Sequence, residues 1–281
     1  MIYTTLVDTE TLAANLCSDW FLFDCRTVLA DPQEGMRRYQ AGHIPGAHYL
    51  HLDRDLAGPV TPRSGRHPLP EPGVLAARLQ KLGVNNSSQV IAYDDAGGAF
   101  AARLWWLMRW LGHAQAAVLD GGIGKWSAEQ RPLTRELPAA SPAGDLVAYP
   151  DDTLWVDAAH VAEISLLPMA RLLDARAPSR FRGEEEPIDP VAGHIPGAVN
   201  QPYAENVSQD MCFKSPAELR RRFETALAGA APTDTVCMCG SGVTACHNLL
   251  AMEVAGLKGG RLYAGSWSEW IRDPRHGVER G

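Results

Sequence analysis

The 281-residue chain is 46% hydrophobic, enough for one large core or two ordinary ones, and its formal charge of −7 argues against a general nucleic-acid binder, whose footprint is a basic surface. No run of eighteen apolar residues occurs and Met1-Ile2-Tyr3-Thr4-Thr5 is not a basic-then-apolar leader, so the expectation is a cytoplasmic protein with neither membrane span nor secretory signal. The six cysteines, Cys17, Cys25, Cys212, Cys237, Cys239 and Cys246, are too sparse for a disulfide scaffold and suit a reducing compartment.

In chain order, short apolar runs rich in β-formers alternate with helical patterns. Residues 21–23 read as a strand, 72–82 as a helix, 90–93 as a strand, 100–111 as a helix and 117–119 as a strand. Residues 138–145, rich in proline and small side chains, read as a linker. Beyond them, 171–173, 235–238 and 261–263 fill strand slots, and 216–227 and 244–255 fill helical ones. This alternation predicts parallel strands with crossover helices, an α/β fold. The runs are continuous rather than alternating in polarity, as in strands buried on both faces.

The two halves are copies of one another. Leu22-Phe23-Asp24-Cys25-Arg26 recurs as Leu172-Leu173-Asp174-Ala175-Arg176, and Gly42-His43-Ile44-Pro45-Gly46-Ala47 as Gly193-His194-Ile195-Pro196-Gly197-Ala198. A third motif, from Leu119 to Trp126, is echoed from Tyr263 to Trp270. The expected organisation is a domain over 1–137, a linker over 138–147 and a second domain over 148–281.

The most reactive stretch is Val236-Cys237-Met238-Cys239-Gly240-Ser241-Gly242-Val243-Thr244-Ala245. It is an apolar run that opens into a glycine-punctuated loop and then a helix. In an open parallel sheet the ligand crevice lies at the carboxyl ends of the strands, which is where Cys239 falls. The glycines let backbone N–H groups converge on the sulfur and the following helix points its positive end at it, a geometry that favours the nucleophilic thiolate. In the first copy the aligned residue is Asp94, which cannot act as a soft sulfur nucleophile. The second domain is therefore the catalytic one and the first supports it.

The paired Asp-x-Arg and Gly-His-Ile-Pro-Gly-Ala motifs, the Trp-containing motif and the Cys-Gly-Ser-Gly-Val-Thr-Ala loop together resemble a tandem-domain rhodanese sulfurtransferase over nearly the whole chain. The resemblance implies two rhodanese-like domains, each a mainly parallel sheet with helices on both faces. It also implies a persulfide mechanism without cofactor or metal. Cys239 takes a sulfane sulfur from a small anionic donor and passes it to cyanide or a thiol acceptor, such as a thioredoxin-like protein. No nucleic acid or membrane takes part.

Within that resemblance, the cysteine loop (Gly240, Ser241, Gly242, Val243, Thr244) is closer to mercaptopyruvate than to thiosulfate sulfurtransferases, whose loop carries basic residues. Arg180 matches a substrate-binding arginine, with Arg182 beside it. Ser241 matches a loop serine proposed to work with a histidine and an aspartate, by motif order His67 and Asp53. Mercaptopyruvate enzymes usually carry a second arginine before the Gly-His-Ile-Pro-Gly motif, whereas residues 184–192 contain none. On that basis discrimination between the two donors is expected to be weak.

Three rival readings are weaker. A Cys-x5-Arg phosphatase needs an arginine where Ala245 stands. A metal site from Cys237, Cys239, Cys246 and His247 is disfavoured because residues two apart on a strand face opposite ways. A non-catalytic sulfur-carrier or regulatory module that binds a partner is the third, and the intact Cys239 favours catalysis over it.

Overall fold

A computed structural model describes residues 2–16, 19–165, 167 and 170–281, so Cys17 lies outside the described residues. The chain forms two compact units. One comprises Met1–Gly58, Leu69–Asp151 and Ser208–Phe213, the other Pro59–Pro68, Asp152–Val207 and Lys214–Gly281. A stretch from the first half of the sequence, Pro59–Pro68, thus belongs to the second unit.

In the first unit β1 (Leu6–Val7), β2 (Phe21–Asp24), β3 (Ala47–Tyr49), β4 (Val90–Tyr93) and β5 (Ala116–Leu119) form a sheet in the order β1-β5-β4-β2-β3. The second unit repeats this order with β6 (Trp155–Val156), β7 (Arg171–Asp174), β8 (Val199–Asn200), β9 (Thr235–Met238) and β10 (Arg261–Tyr263), arranged β6-β10-β9-β7-β8. Every pairing is parallel, and helices flank both faces. The central strands β4, β5 and β9 are buried at all four positions, which is why their sequences are unbroken apolar runs.

All six strands expected from sequence are present. The four that periodicity does not reveal, β1, β3, β6 and β8, are the edge strands, two or three residues long. So short a strand has no legible period and is made by its pairing partner.

Each unit has its own core. In the first, Leu22, Ile91, Tyr93, Leu119 and Trp126 pack together; in the second, Leu172, Val236, Met238, Tyr263 and Trp267 do. The repeated Asp-x-Arg motif ties strand to turn identically in both. Arg26 bonds Asp24 (Nη2 to Oδ2, 2.6 Å) and donates to Gly42 O at 2.8 Å, while Arg176 bonds Asp174 (2.7 Å) and donates to Gly193 O at 2.8 Å. The repeated histidines are held the same way: His43 stacks on Tyr39 at 3.9 Å and His194 on Phe181 at 3.8 Å. Nδ1 of each ring also pairs with a backbone carbonyl, Tyr39 O at 2.9 Å and Phe181 O at 2.8 Å, which ties both histidines to their turns. Among the described residues no helix is long and apolar enough to cross a membrane.

Candidate functional site

Strand β9 lies in the middle of the second sheet, and Cys239 is the first residue past its carboxyl end. The loop Cys239–Val243 then turns into the helix Thr244–Val254, whose first residue Thr244 has no side-chain cap before it, because the preceding residue is Val243. The sulfur takes up part of the polar demand of this turn. Cys239 Sγ accepts the N–H groups of Gly242 at 3.2 Å and Ser241 at 3.5 Å, and the residue is 2% exposed.

The first unit shows what such a loop is built to hold. Asp94 stands at the same place, and its carboxyl oxygens accept four backbone N–H groups, from Ala96, Gly98, Phe100 and Ala101, at 2.8–2.9 Å. Burial pushes the Asp94 carboxyl up against the pull of those donors. In the second unit a shorter loop turns two N–H groups, those of Ser241 and Gly242, onto a sulfur atom.

Gly242 is required twice over. Its φ is +76°, and a Cβ there would lie 2.3 Å from Ala264 O. Gly242→Ala is therefore expected to destabilise the protein by more than about 1 kcal/mol in urea unfolding and to slow alkylation of Cys239, since the loop must move off Ala264. Unchanged values for both would show that the loop has slack.

Gly240 has a different task. A Cβ on it would lie 2.8 Å from Arg66 Nη2 and 3.7 Å from Arg180 Nη1 and Nη2, so its bareness lets two guanidiniums close on the loop. Both are held by buried acids. Arg180 donates from Nε and Nη2 to Glu186 at 3.1 and 2.7 Å and from Nη2 to Asp189 at 3.3 Å; Arg66 donates from Nη1 to the other oxygen of Asp189. Burial opposes ionisation of Glu186, but the hydrogen bond from Arg180 prevails and holds its carboxyl below the usual range. Among the described residues Arg180 Nη1 and Arg66 Nη2 have no protein acceptor, and both lie beside Gly240. The stretch 184–192, without an arginine of its own, supplies the acids that aim two arginines at the loop.

Arg66 was not singled out by the sequence, because it lies in the first repeat, far along the chain from Cys239. It reaches the loop because Pro59–Pro68 packs within the second unit: Arg66 N–H donates to Ser268 Oγ at 3.0 Å, and a Cβ on Gly65 would lie 2.5 Å from Gly265 O. The same stretch delivers His67, whose Nδ1 is 2.7 Å from Ser241 Oγ, with both side chains buried. The structure thus brings together Cys239, Gly240, Ser241, Gly242, Arg180 and His67. Asp53 belongs to the first unit, on the helix Leu52–Asp55, with its carboxylate half exposed and 3.9 Å from His51 Nδ1. Arg182 turns to Glu184 instead of the loop, donating at 2.6 and 2.9 Å, and its side chain is 45% exposed.

The other described thiols are placed differently. Cys237 faces Met252 in the core, where burial pushes its thiol up, and Cys246 Sγ donates to Gly242 O at 3.3 Å. Cys212 is pushed up to about 11, burial being the main cause with Asp120 and Asp210 adding to it. Among the described residues no group of three or more His, Cys, Asp or Glu side chains is arranged to hold a metal ion.

The Rhodanese-like domain family matches residues 8–129 and 158–273. A probable 3-mercaptopyruvate sulfurtransferase from Pseudomonas aeruginosa is 50% identical over 279 residues, covering 98% of each chain. A thiosulfate sulfurtransferase from Rattus norvegicus is 32% identical over 284 residues, 97% of this chain and 93% of its own. The crystal structure of SseA, a 3-mercaptopyruvate sulfotransferase from Escherichia coli, superposes with a TM-score of 0.81 at 30% identity over 95% of this chain and all of that one.

Proposed function

The chain belongs to the rhodanese family, and from that premise we propose that it is a sulfurtransferase in which Cys239 carries the sulfur as a persulfide. One observation carries this reading. At the strand end where the first unit turns four backbone N–H groups onto the Asp94 carboxyl, the second turns those of Ser241 and Gly242 onto a cysteine sulfur, which makes this strand end an anion holder with a nucleophile at its centre.

The Cys239 thiolate attacks the donor's transferable sulfur, an S–S bond forms, and the bond between that sulfur and the rest of the donor breaks, S–S in thiosulfate and C–S in 3-mercaptopyruvate. Thiosulfate releases sulfite, which takes the electron pair with it. 3-Mercaptopyruvate releases the enolate of pyruvate, which must gain a proton, so that the donor's thiol proton ends on the product's methyl group. Cyanide or a thiol, in a small molecule or a thioredoxin-like protein, then takes the terminal sulfur and restores the Cys239 thiolate. The charge on sulfur is met by the Ser241 and Gly242 N–H groups, and the donor's anionic group by Arg180 with Arg66 beside it.

The Ser241–His67 pair supports 3-mercaptopyruvate as the preferred donor, because only that donor needs a proton delivered to its leaving group. Ser241→Ala is expected to lower kcat with 3-mercaptopyruvate about tenfold to a hundredfold and to leave thiosulfate turnover within about twofold. Steady-state assay of thiocyanate with each donor checks this; equal loss with both would remove the relay and leave Ser241 as a loop residue only.

The overall assignment is tested by incubating the protein with either donor in the absence of acceptor. The intact mass should rise by one sulfur atom, located on Cys239 by peptide mapping, and cyanide should reverse it. A protein that neither gains sulfur nor forms thiocyanate with either donor would overturn the assignment.

A further inference from the structure

We infer that Ser266 is a positioning residue for Cys239: its hydroxyl accepts the Cys239 backbone N–H and sets the direction in which the nucleophile leaves the strand. This rests on Cys239 being the nucleophile. The first sign is a backbone conformation that a residue with a side chain rarely takes. Ser266 has φ +54° and is fully buried, in the left-handed region where Cβ crowds the backbone.

The duplicated fold contains its own control. In the alignment of Leu119–Trp126 with Tyr263–Trp270, Ser266 stands where the first unit has Gly122, at φ +55°. The turn is therefore a property of the fold, met in one copy by the residue suited to it and in the other by a serine. Most of the hydrogen bonding around the turn does not need the serine. Trp267 N–H donates to Cys239 O at 3.0 Å, and its counterpart Ile123 N–H donates to Asp94 O at 3.0 Å. What the serine adds is its hydroxyl, which accepts from Cys239 N–H at 3.1 Å and donates to Tyr263 O at 2.8 Å.

Those two bonds tie the first residue past β9 to the last residue of β10, the strand paired with it. The peptide plane entering Cys239 is then held at its N–H by Ser266 and the plane leaving it at the Cys239 C=O by Trp267, and Sγ projects into the N–H groups of Ser241 and Gly242. A nucleophile must be held within a fraction of an ångström of its attack geometry, and misplacement by about 1 Å costs on the order of a hundredfold in rate. The unfavourable φ at Ser266 is kept for a polar contact that glycine cannot make.

The test compares Ser266→Gly with Ser266→Ala. Both delete the hydroxyl, but glycine relieves the backbone strain and alanine keeps it. A positioning role predicts that both variants lose kcat alike, by roughly tenfold or more. KM for the donor should stay within about twofold, because the arginines are untouched. The rate of iodoacetamide alkylation of Cys239, followed by mass spectrometry, should change in parallel. Thermal unfolding should place the glycine variant at or above the alanine variant. Wild-type kcat and alkylation in Ser266→Gly, with loss confined to Ser266→Ala, would show that only strain matters and would overturn the proposal. So would a rise in KM at constant kcat. Alkylation is read without any donor, so it decides the role of Ser266 even if the protein transfers sulfur from neither donor.

Discussion

Cys239→Ser is expected to lower sulfur transfer at least about a thousandfold, to the level of the uncatalysed background, with both thiosulfate and 3-mercaptopyruvate. A serine oxygen in the same cradle can be hydrogen-bonded by Ser241 and Gly242, but it cannot form the disulfide-like bond that holds the transferred sulfur. Cys237→Ala and Cys246→Ala should keep most of the activity. Cys237 is sealed in the core against Met252 with its thiol pushed up by burial, and Cys246 spends its hydrogen bond on Gly242 O. Thiocyanate assay of the three variants, with intact-mass analysis after donor treatment, separates a sulfur-carrying residue from neighbours that merely share the strand and helix. Transfer by the Cys239→Ser protein would end the persulfide mechanism.

The second large effect concerns the two guanidiniums. Arg180→Gln is expected to lower kcat/KM about 10- to 100-fold for both anionic donors, mainly through KM, since hydrogen bonds to charged groups contribute roughly 1.5–3 kcal/mol and each 1.4 kcal/mol is tenfold. Removing Arg180 also leaves Glu186 and Asp189 buried with less compensation, so Arg180→Lys belongs in the same series: it keeps the charge but loses the two-pronged bond to Glu186. Arg66→Gln should cost about tenfold in kcat/KM, with a larger loss for 3-mercaptopyruvate, whose carboxylate and keto group offer acceptors to two cations. Arg182→Gln serves as the control and should be silent, because that side chain is nearly half exposed and paired with Glu184. Full activity in both Arg66→Gln and Arg180→Gln would show that the loop amides alone hold the donor. The arginine-poor stretch 184–192 predicts weak discrimination between the donors, whereas Arg66 beside Gly240 and the Ser241–His67 pair favour the proposed preference for 3-mercaptopyruvate, and the ratio of kcat/KM for the two donors decides between them.

The site was legible in proportion to how local its parts are. Cys239 and the loop around it could be read directly, since a strand, a glycine-rich turn and a helix are consecutive in sequence and the repeat marks Asp94 as the counterpart. Arg180 follows its strand by six residues and carried a recognisable motif. Ser266 was invisible for a different reason. Serine in a Gly-Ser-Trp turn signals nothing until its φ is known and compared with that of Gly122.

The duplication, the α/β class, the six inner strands and the proposed nucleophile Cys239 are readable from the chain alone, because hydrophobic runs, glycine turns and repeated motifs are encoded by neighbours a few residues apart. Tertiary packing sets which distant groups reach the Cys239 loop. Arg66 and His67 come from a stretch of the first repeat that packs into the second unit, and Asp189 aims two arginines through opposite oxygens of one carboxylate. Such partnerships follow from packing and charge compensation between segments far apart in sequence, for which no local pattern is required and none exists to be read.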